Sequence, residues 1–227
     1  MSRSAVVIGA RGGIGAALVE ALEEEAAFAK VHAFARPELD LLDEVSIAAA
    51  AERVAAGPSP TLVIIATGLL HDAEHGPEKS LKELEPDWLA RNFALNAIGP
   101  ALLAKHFLPL LPKGERSVFA ALSARVGSIS DNRLGGWYGY RASKAALNQL
   151  LRTLAIEMKR LNDRVIVVGL HPGTVDTWLS KPFQANVAPG QLFDPGRAAV
   201  QLLDVIDGLS VKDSGGVLSW DGTPIAP

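Results

Sequence analysis

Short apolar runs rich in β-branched residues alternate with longer helical patterns along the whole chain. The first run, residues 5–8, is followed by a glycine-rich turn and then by alanine, leucine and glutamate in residues 16–28. The runs lack an alternation of polar and apolar residues, which is typical of strands buried on both faces of a parallel sheet. The pattern therefore predicts an α/β fold in which helices cover both faces of a doubly wound parallel sheet.

The same alternation places the remaining elements. Two longer segments without periodicity, 68–86 and 177–193, are predicted to be functional loops. With 227 residues and 48% hydrophobic content, the chain can bury one large core, and we expect a single domain spanning residues 1–227. Further strands are predicted at 31–35, 61–66, 117–122, 164–170 and 216–220, and further helices at 43–56, 87–111, 138–161 and 195–207.

Composition excludes several classes of site. The chain has no cysteine, so it forms neither disulfides nor thiolate metal sites. Its net charge of −3 is scattered and offers no basic surface to nucleic acid or anionic lipid. The histidines lack metal-ligand spacing, and His71 and His75 in the first loop are expected to be solvated. The apolar runs are too short for a membrane span. We therefore expect a cytoplasmic protein without a metal, nucleic-acid or membrane partner.

A glycine-rich turn connects the first strand to the first helix. Glycines stand at positions 9, 12, 13 and 15 of this turn. They let the backbone approach a pyrophosphate, and the helix that follows directs its N–H groups and the positive end of its dipole at the same point. A turn that only requires positive φ needs fewer glycines. The turn therefore predicts a dinucleotide-binding site.

Basic residues mark the end of the second strand. Arg36 stands where a carboxylate would favour the 2′-hydroxyl of NAD, and Arg11 lies in the glycine turn. Two guanidinium groups suit the 2′-phosphate of NADP. We therefore expect NADP as the cofactor, with NAD less favoured. The alternative is that Arg36 only ends the strand in solvent.

Tyr140 and Lys144 are four residues apart in a predicted helix and so share one face of it. A nearby ammonium lowers the pKa of a phenol, which otherwise titrates near ~10. The pair can supply a general acid near neutral pH. Because any helix contains many pairs at this spacing, other motifs have to decide between a catalytic and a structural role.

The turn G-x-x-x-G-x-G, followed much later by Y-x-x-x-K, resembles the short-chain dehydrogenase/reductase family over essentially the whole chain. The resemblance implies a Rossmann-type sheet of about seven strands and NADPH-dependent reduction of a ketone or aldehyde, or the reverse oxidation of an alcohol. It implies that Tyr140 is the general acid and that Lys144 binds the nicotinamide ribose and lowers the pKa of the tyrosine. It also implies a homodimer or homotetramer.

Two further catalytic residues follow from the resemblance. Asn96 matches the family's helix asparagine, which holds a water that relays protons to the lysine. Asparagine is otherwise a poor residue for a helix interior, so a local kink or a water site is expected there. Ser123 matches the serine that polarises the substrate carbonyl, whereas Ala124 stands at the position of the family's second serine. Ser128 remains the alternative.

The resemblance supplies the remaining cofactor contacts. Asp40 and Leu41 match the acid and hydrophobe that contact the adenine, residues 66–68 stand where the family usually has Asn-Ala-Gly, and residues 172–177 match the family's P-G-x-V-x-T. The implied cofactor-binding residues are Gly9, Arg11, Gly12, Gly13, Ile14, Gly15, Arg36, Asp40, Leu41, Ala66, Thr67, Gly68, Tyr140, Lys144, Pro172, Gly173, Val175 and Thr177.

Segments 68–71, 77–81, 126–129 and 137–141 look like the branch of the family that contains C-factor cell-cell signalling proteins and sniffer-type carbonyl reductases. This likeness, together with an alanine in the serine motif, keeps open a nucleotide-binding signalling protein with little or no turnover. A sugar-nucleotide epimerase or dehydratase is a third hypothesis, disfavoured because about 50 residues after the last motif are too few for a substrate domain. The second loop is rich in apolar residues, which predicts room for an apolar substrate without naming it.

Overall fold

The structure is a computed structural model, and it describes residues 2–227. Six strands form the main sheet, and two short strands form a separate parallel pair. The main strands are β1 (Arg3–Ile8), β2 (Lys30–Phe34), β3 (Ser59–Ile65), β4 (Ser117–Leu122), β5 (Val165–His171) and β8 (Val217–Ser219), and the short pair is β6 (Thr174–Val175) with β7 (Leu192–Phe193).

The main sheet is parallel throughout and has the order β2-β1-β3-β4-β5-β8. Its neighbours β2 and β3 lie on opposite sides of β1, so the strand order reverses there. Ligands bind in open α/β sheets at the carboxyl ends of the strands beside such a reversal. The topology therefore places a binding crevice next to the glycine turn after β1.

Helices cover both faces of the sheet. The helices are α1 (Gly13–Glu25), α2 (Glu44–Ala55), α3 (Pro86–Phe93), α4 (Gly99–Phe107), α5 (Tyr138–Leu161) and α6 (Pro195–Gly208). One hydrophobic core joins α2, α4 and α5 to the sheet, and a second joins α1 and α6 to the opposite face. Along β1, Val6 and Ile8 enter the first core while Ala5 and Val7 enter the second. Both faces of the strand are therefore apolar, which explains why its sequence shows no alternation.

A third, smaller apolar cluster lies beyond the carboxyl ends of the strands. Leu70, Ala124 and Tyr140 form its buried part. It shares no residue with the two main cores. We call it the Tyr140 cluster; the partly buried residues packed against it are Val126, Trp137, Leu179 and Phe183.

The predicted elements are confirmed with shifts at their ends. The sheet has six strands where the resemblance implied about seven. Helix α1 begins at Gly13, three residues before the predicted start, because the turn glycines continue directly into the helix. The predicted helix 87–111 is interrupted by a π-helical turn at Ala94–Ile98 between α3 and α4. The loop 177–193 contains a 3₁₀ helix, Lys181–Asn186.

One helical stretch of the described residues, Pro86–Leu110, is long and apolar enough to cross a membrane by length and composition alone. Core helices pass the same test. In this stretch Leu103 and Phe107 are fully buried in the first core against the sheet.

Candidate active site

The glycine turn after β1 is held by backbone contacts that leave no room for side chains. Gly9 has a φ of +91°, and a Cβ there would lie 2.8 Å from the carbonyl oxygen of Ala66. A Cβ on Gly15 would collide with the carbonyl oxygen of Gly9. Gly12 is the N-cap of α1 and gives it no side-chain cap. The first N–H groups of α1 therefore point, uncapped by any side chain, towards the crevice at the strand ends.

A cavity of about 220 Å³ lies at this crevice. It gathers most of the predicted site into one place, from the glycine turn through β3 and β4 to α5 and the loop after β5. Its lining residues are Gly12, Gly13, Ile14, Ala66, Thr67, Gly68, Leu122, Ser123, Tyr140, Lys144, Pro172, Thr177, Trp178 and Leu179. A larger, open depression of about 490 Å³ lies beside α1, and none of Ser123, Tyr140 and Lys144 lines it; its lining residues are Ala10, Ala16, Val19, Glu20, Glu23, Glu24 and Ala33.

Tyr140 and Lys144 lie in the first two turns of α5, and both are buried. The Lys144 ammonium donates a hydrogen bond to the carbonyl oxygen of Leu122, 2.8 Å away, and lies 5.8 Å from the centre of the Tyr140 ring. Burial lowers the pKa of Lys144 to about 8. Burial also raises the pKa of Tyr140. The expected lowering of the phenol pKa by Lys144 is therefore not seen in the chain alone, because loss of hydration dominates.

Asn96 lies in the π-helical turn and is 1% exposed. Its Oδ1 accepts a hydrogen bond from the amide of Leu69 at 2.7 Å, and its Nδ2 donates to the carbonyl oxygen of Leu69 at 2.8 Å. The same Nδ2 donates to Ser143 Oγ at 3.0 Å. The helix is interrupted by the π-helical turn at this residue, and the amide ties the segment after β3 to α5. This contact holds Gly68 beside Lys144 Nζ.

The structure separates the two candidate serines. Ser123 lines the cavity, and its hydroxyl donates to Asn148 Oδ1 on α5 at 2.6 Å. Ser128 is buried outside the cavity and accepts a hydrogen bond from the amide of Asp131 at 3.2 Å. Ala124 packs with Tyr140 in the Tyr140 cluster. Of the two serines, Ser123 is therefore the one that lines the same cavity as Tyr140.

The two predicted arginines lie together at the ends of β1 and β2. Arg11 Nη1 donates to the carbonyl oxygen of Arg36 at 2.9 Å, and both side chains are exposed. Neither takes part in an ion pair formed by the described residues. Nearby, Asp40 Oδ1 accepts from the amide of Leu42 at 2.9 Å, and Leu41 packs against Gly99. Positive charge is thus available at this end of the crevice.

The segment after β5 closes the other side of the crevice. Gly173 has a φ of +76°, and Val175 is buried in a small cluster with Phe193. Thr177 packs so closely on the glycine turn that a Cβ on Gly13 would lie 2.7 Å from its Cγ2. Thr177 and Val175 of the predicted segment therefore lie against Gly13 and Ile14 at the start of α1.

Two aromatic contacts join the flanking loops above the cavity. The His71 and Trp178 rings pack together at a tilt of 33° with their centres 4.1 Å apart, and His71 Nε2–H donates to the carbonyl oxygen of Trp178 at 3.2 Å. Trp137 packs on Phe183 with ring centres 5.0 Å apart and on Tyr140 at 6.3 Å. His71 is buried, so the expectation that it is solvated is wrong. Nothing in the sequence indicated this burial, because His71 is covered by Trp178, which lies in the second loop about 107 residues further along the chain.

Among residues 2–227, no group of three or more histidine, aspartate or glutamate side chains is arranged to hold a metal ion. The polar groups that converge on the cavity are instead a phenol, an ammonium, a serine hydroxyl and the N–H groups of a helix start. This set can donate protons and bind an anion.

Comparison with known proteins extends the sequence resemblance. Residues 3–188 match the family model described as short chain dehydrogenase. C-signal of Myxococcus xanthus is 36% identical over 137 residues, which are 60% of this chain and 77% of that protein. The 1-hydroxy-2-glutathionyl-2-methyl-3-butene dehydrogenase of Rhodococcus sp. strain AD45 is 33% identical over 190 residues, 82% of this chain and 77% of that protein.

Similar solved structures cover the full chain. The NADPH-bound carbonyl reductase from chicken fatty liver has a TM-score of 0.86 at 27% identity, covering 100% of this chain and 94% of the other. The carbonyl reductase Sniffer of D. melanogaster has a TM-score of 0.81 at 25% identity, with 100% of both chains covered.

Proposed function

Because the chain belongs to the short-chain dehydrogenase family, in the branch of C-signal and Sniffer, we propose that it is an NADPH-dependent reductase of ketones or aldehydes. The same site would catalyse the reverse oxidation of an alcohol. The observation that carries the proposal is the buried pair of Tyr140 and Lys144 at one end of a cavity whose other end is the glycine turn. A proton donor and a dinucleotide site within one cavity are what hydride reduction of a carbonyl requires.

The residues of the cavity fit NADPH. The glycine turn lacks side chains where a pyrophosphate would approach the start of α1, and Arg11 and Arg36 offer guanidinium groups for a 2′-phosphate. Thr67 Oγ1 is buried beside the turn and has no hydrogen-bond partner among the described residues, so it is available to a ligand. The NADPH-bound chicken liver enzyme supports this choice. When bound, NADPH supplies the hydride that the carbonyl carbon receives.

We assign Tyr140 the role of general acid that protonates the carbonyl oxygen. Burial raises its pKa, which keeps the phenol protonated at neutral pH, the state that reduction requires. Lys144 is fixed beside the ring by its bond to Leu122, and its ammonium would stabilise the phenolate that forms when Tyr140 gives up its proton. Asn96 anchors the segment beside Lys144, where the proton that replaces the one lost from Tyr140 would be relayed.

Ser123 is our candidate for the second donor to the carbonyl oxygen. Its hydroxyl donates to Asn148 Oδ1, so the O–H bond would have to rotate away from Asn148 before it could donate to the substrate oxygen. Ala124, at the face of the cluster next to Tyr140, has no donor to offer. Polarisation of the carbonyl thus depends on Tyr140 and Ser123.

The surroundings of Tyr140 favour a substrate with an apolar body. The side chains of the Tyr140 cluster around the phenol are aliphatic or aromatic. Trp178 and Leu179 add further apolar wall to the cavity. An uncharged ketone or aldehyde would bury apolar surface there without leaving a charge unpaired.

The test is steady-state oxidation of NADPH with a panel of apolar ketones and aldehydes. We expect Tyr140→Phe to lower kcat by at least about a hundredfold, since general acids contribute on that order. Tyr138→Phe, two residues away and exposed, is the matched control and should stay within about threefold of the wild type. Wild-type rates no higher than those of Tyr140→Phe would refute the proposal.

A second candidate is a nucleotide-binding signalling protein with little or no turnover. Two observations favour it: Ala124 stands next to Tyr140 where a second serine is expected, and C-signal is 36% identical. It predicts NADPH binding in a fluorescence titration without reduction of any carbonyl in the panel. The buried tyrosine, lysine and asparagine support the reductase instead.

A further inference from the structure

Loop 68–86 carries a buried carboxylate at Glu78. The residue is 2% exposed, and none of the ion pairs formed by the described residues includes it. Its two carboxylate oxygens lie 3.1 and 3.3 Å from the backbone amide of Gly139, which donates to them. An anionic side chain that is removed from water needs a compensating partner. Here that partner is the first turn of α5.

The first turn of α5 is shaped to receive this carboxylate. Trp137, the N-cap of α5, has a φ of +53° and gives the helix no side-chain cap. Its own amide donates to the backbone carbonyl oxygen of Glu78 at 2.5 Å. A Cβ on Gly139 would lie 2.8 Å from Glu78 Oε1 and 3.2 Å from Leu89 Cδ2. Glycine at this position therefore leaves space that Glu78 and Leu89 fill.

Glu78 thus contacts the beginning of α5 at two points, through its backbone and through its side chain. The first N–H groups of a helix have no partner within the helix, and an anion there is favoured by the helix dipole. The two contacts fix where the first turn begins and which way it faces. Tyr140 follows Gly139 directly, so the same turn carries the phenol.

We propose that Glu78 is a positioning residue, which seats the first turn of α5 and thereby holds the Tyr140 hydroxyl in the cavity. This inference rests on the proposed function, because it gives the position of the phenol a catalytic consequence. Glu78 does not line the cavity and acts through Gly139 rather than on the substrate. A misplacement of about 1 Å at a reacting group can cost on the order of a hundredfold in rate.

The kinetic test compares Glu78→Ala with Glu78→Gln, which keeps an oxygen to accept from the Gly139 amide. We expect Glu78→Ala to lower kcat roughly ten- to a hundredfold with the dissociation constant of NADPH within about twofold of the wild type. Glu78→Gln should recover most of the rate. The control is Glu83→Ala on the same loop, an exposed residue whose carboxylate accepts from the Lys79 amide and from the Ser80 hydroxyl, both on that loop.

Three kinetic results would overturn the inference. The first is a folded Glu78→Ala protein with kcat within about twofold of the wild type. The second is a loss of NADPH affinity as large as the loss of kcat, and the third is an equal loss in Glu83→Ala. If Glu78→Ala does not fold, Gly139→Ala replaces it in the test, because a Cβ at Gly139 pushes the Glu78 carboxylate away. Gly139→Ala should then lower kcat while Glu78→Gln does not, and the reverse result rejects the proposal.

A spectroscopic test does not depend on turnover. Removing Glu78 should speed hydrogen exchange at the Gly139 amide, because the carboxylate that accepts from this amide is gone. If the wild type reduces no carbonyl compound, the proposed function is wrong, and the seating of α5 by Glu78 is then tested by this exchange rate alone. An unchanged exchange rate in Glu78→Ala would reject it.

Discussion

The hydroxyl of Ser123 and the ammonium of Lys144 share a property: each is bonded to a protein atom, Asn148 Oδ1 in one case and the Leu122 carbonyl oxygen in the other. Such bonds fix side chains in place before a ligand arrives. Such a bond also opposes catalysis where the same proton has to be donated to the substrate. The Ser123 hydroxyl therefore has to leave Asn148 Oδ1 before it can donate to a carbonyl oxygen.

Removing each candidate serine separates their roles. We expect Ser123→Ala to lower kcat/KM roughly ten- to a hundredfold, because it deletes a donor to the developing oxyanion. Ser128→Ala should change kcat/KM by less than about threefold, since its hydroxyl lies outside the cavity and bonds the Asp131 amide. The measurement is the steady-state rate with the best carbonyl of the panel. A larger loss in Ser128→Ala than in Ser123→Ala would reverse the assignment.

The guanidinium of Arg36 should set cofactor preference. We expect Arg36→Ala to lower the ratio of kcat/KM for NADPH to that for NADH roughly tenfold or more, because a charge-assisted bond to phosphate is lost and NADH has no 2′-phosphate. Arg3→Ala is the control, since Arg3 starts β1 at the opposite, amino end of the sheet. Equal losses with both cofactors would show that Arg36 does not recognise the 2′-phosphate.

At the scale of single elements, close packing decides where α1 can begin. The helix follows the turn so closely that Gly15 sits against the carbonyl oxygen of Gly9. A methyl group there would push the helix start away from the strand ends. The position of the helix N-terminus, and with it any anion it binds, depends on this one contact.

Gly15→Ala tests that dependence. We expect a free energy of unfolding lower by about 1–3 kcal/mol, through overpacking, and NADPH binding weaker by at least about tenfold. Gly208→Ala, at the end of α6, is the matched control, because a Cβ there meets no atom within 4 Å. Urea unfolding and fluorescence titration measure the two effects. Normal NADPH affinity in a folded Gly15→Ala protein would contradict the assigned role of the turn.

Elements with a strong local signal could be predicted from the sequence, and contacts between distant loops could not. Helix α5 spans the predicted residues because its apolar period is regular over 24 residues. The π-helical turn interrupts an apolar helix in which the spacing of apolar residues hardly changes. In the sequence, therefore, only Asn96 indicated an irregularity there. The burial of His71 and of Glu78 depends on partners about 60 to 110 residues away in the chain. A single sequence gives no pattern for such pairs.

At the scale of the whole molecule, the buried Lys144 links stability to pH. Burial holds its pKa at about 8 in the folded chain, against 10.5 for a lysine side chain in water. Between these values the unfolded chain holds more protons than the folded one, so raising the pH favours folding. The raised pKa of Tyr140 opposes this trend only above pH ~10, where an unfolded tyrosine would ionise.

We therefore expect the free energy of unfolding to rise between about pH 8 and about pH 10, by up to about 3 kcal/mol at ~1.4 kcal/mol per pKa unit. Lys144→Met should remove most of this rise. Lys159→Met, an exposed position on the same helix, should retain it. Urea unfolding at several pH values measures the slopes, and parallel slopes in the wild type and Lys144→Met would disprove the linkage.

The Tyr140 cluster shares no residue with the two cores that hold the helices to the sheet. Substitutions at Leu70, Val126 or Phe183 therefore change the walls around the phenol without opening a cavity in the layers that supply most of the stability. Such a division lets selection alter substrate preference at little risk to folding. The chain is thus well suited to laboratory evolution, with loops 68–86 and 177–193 as the segments to randomise.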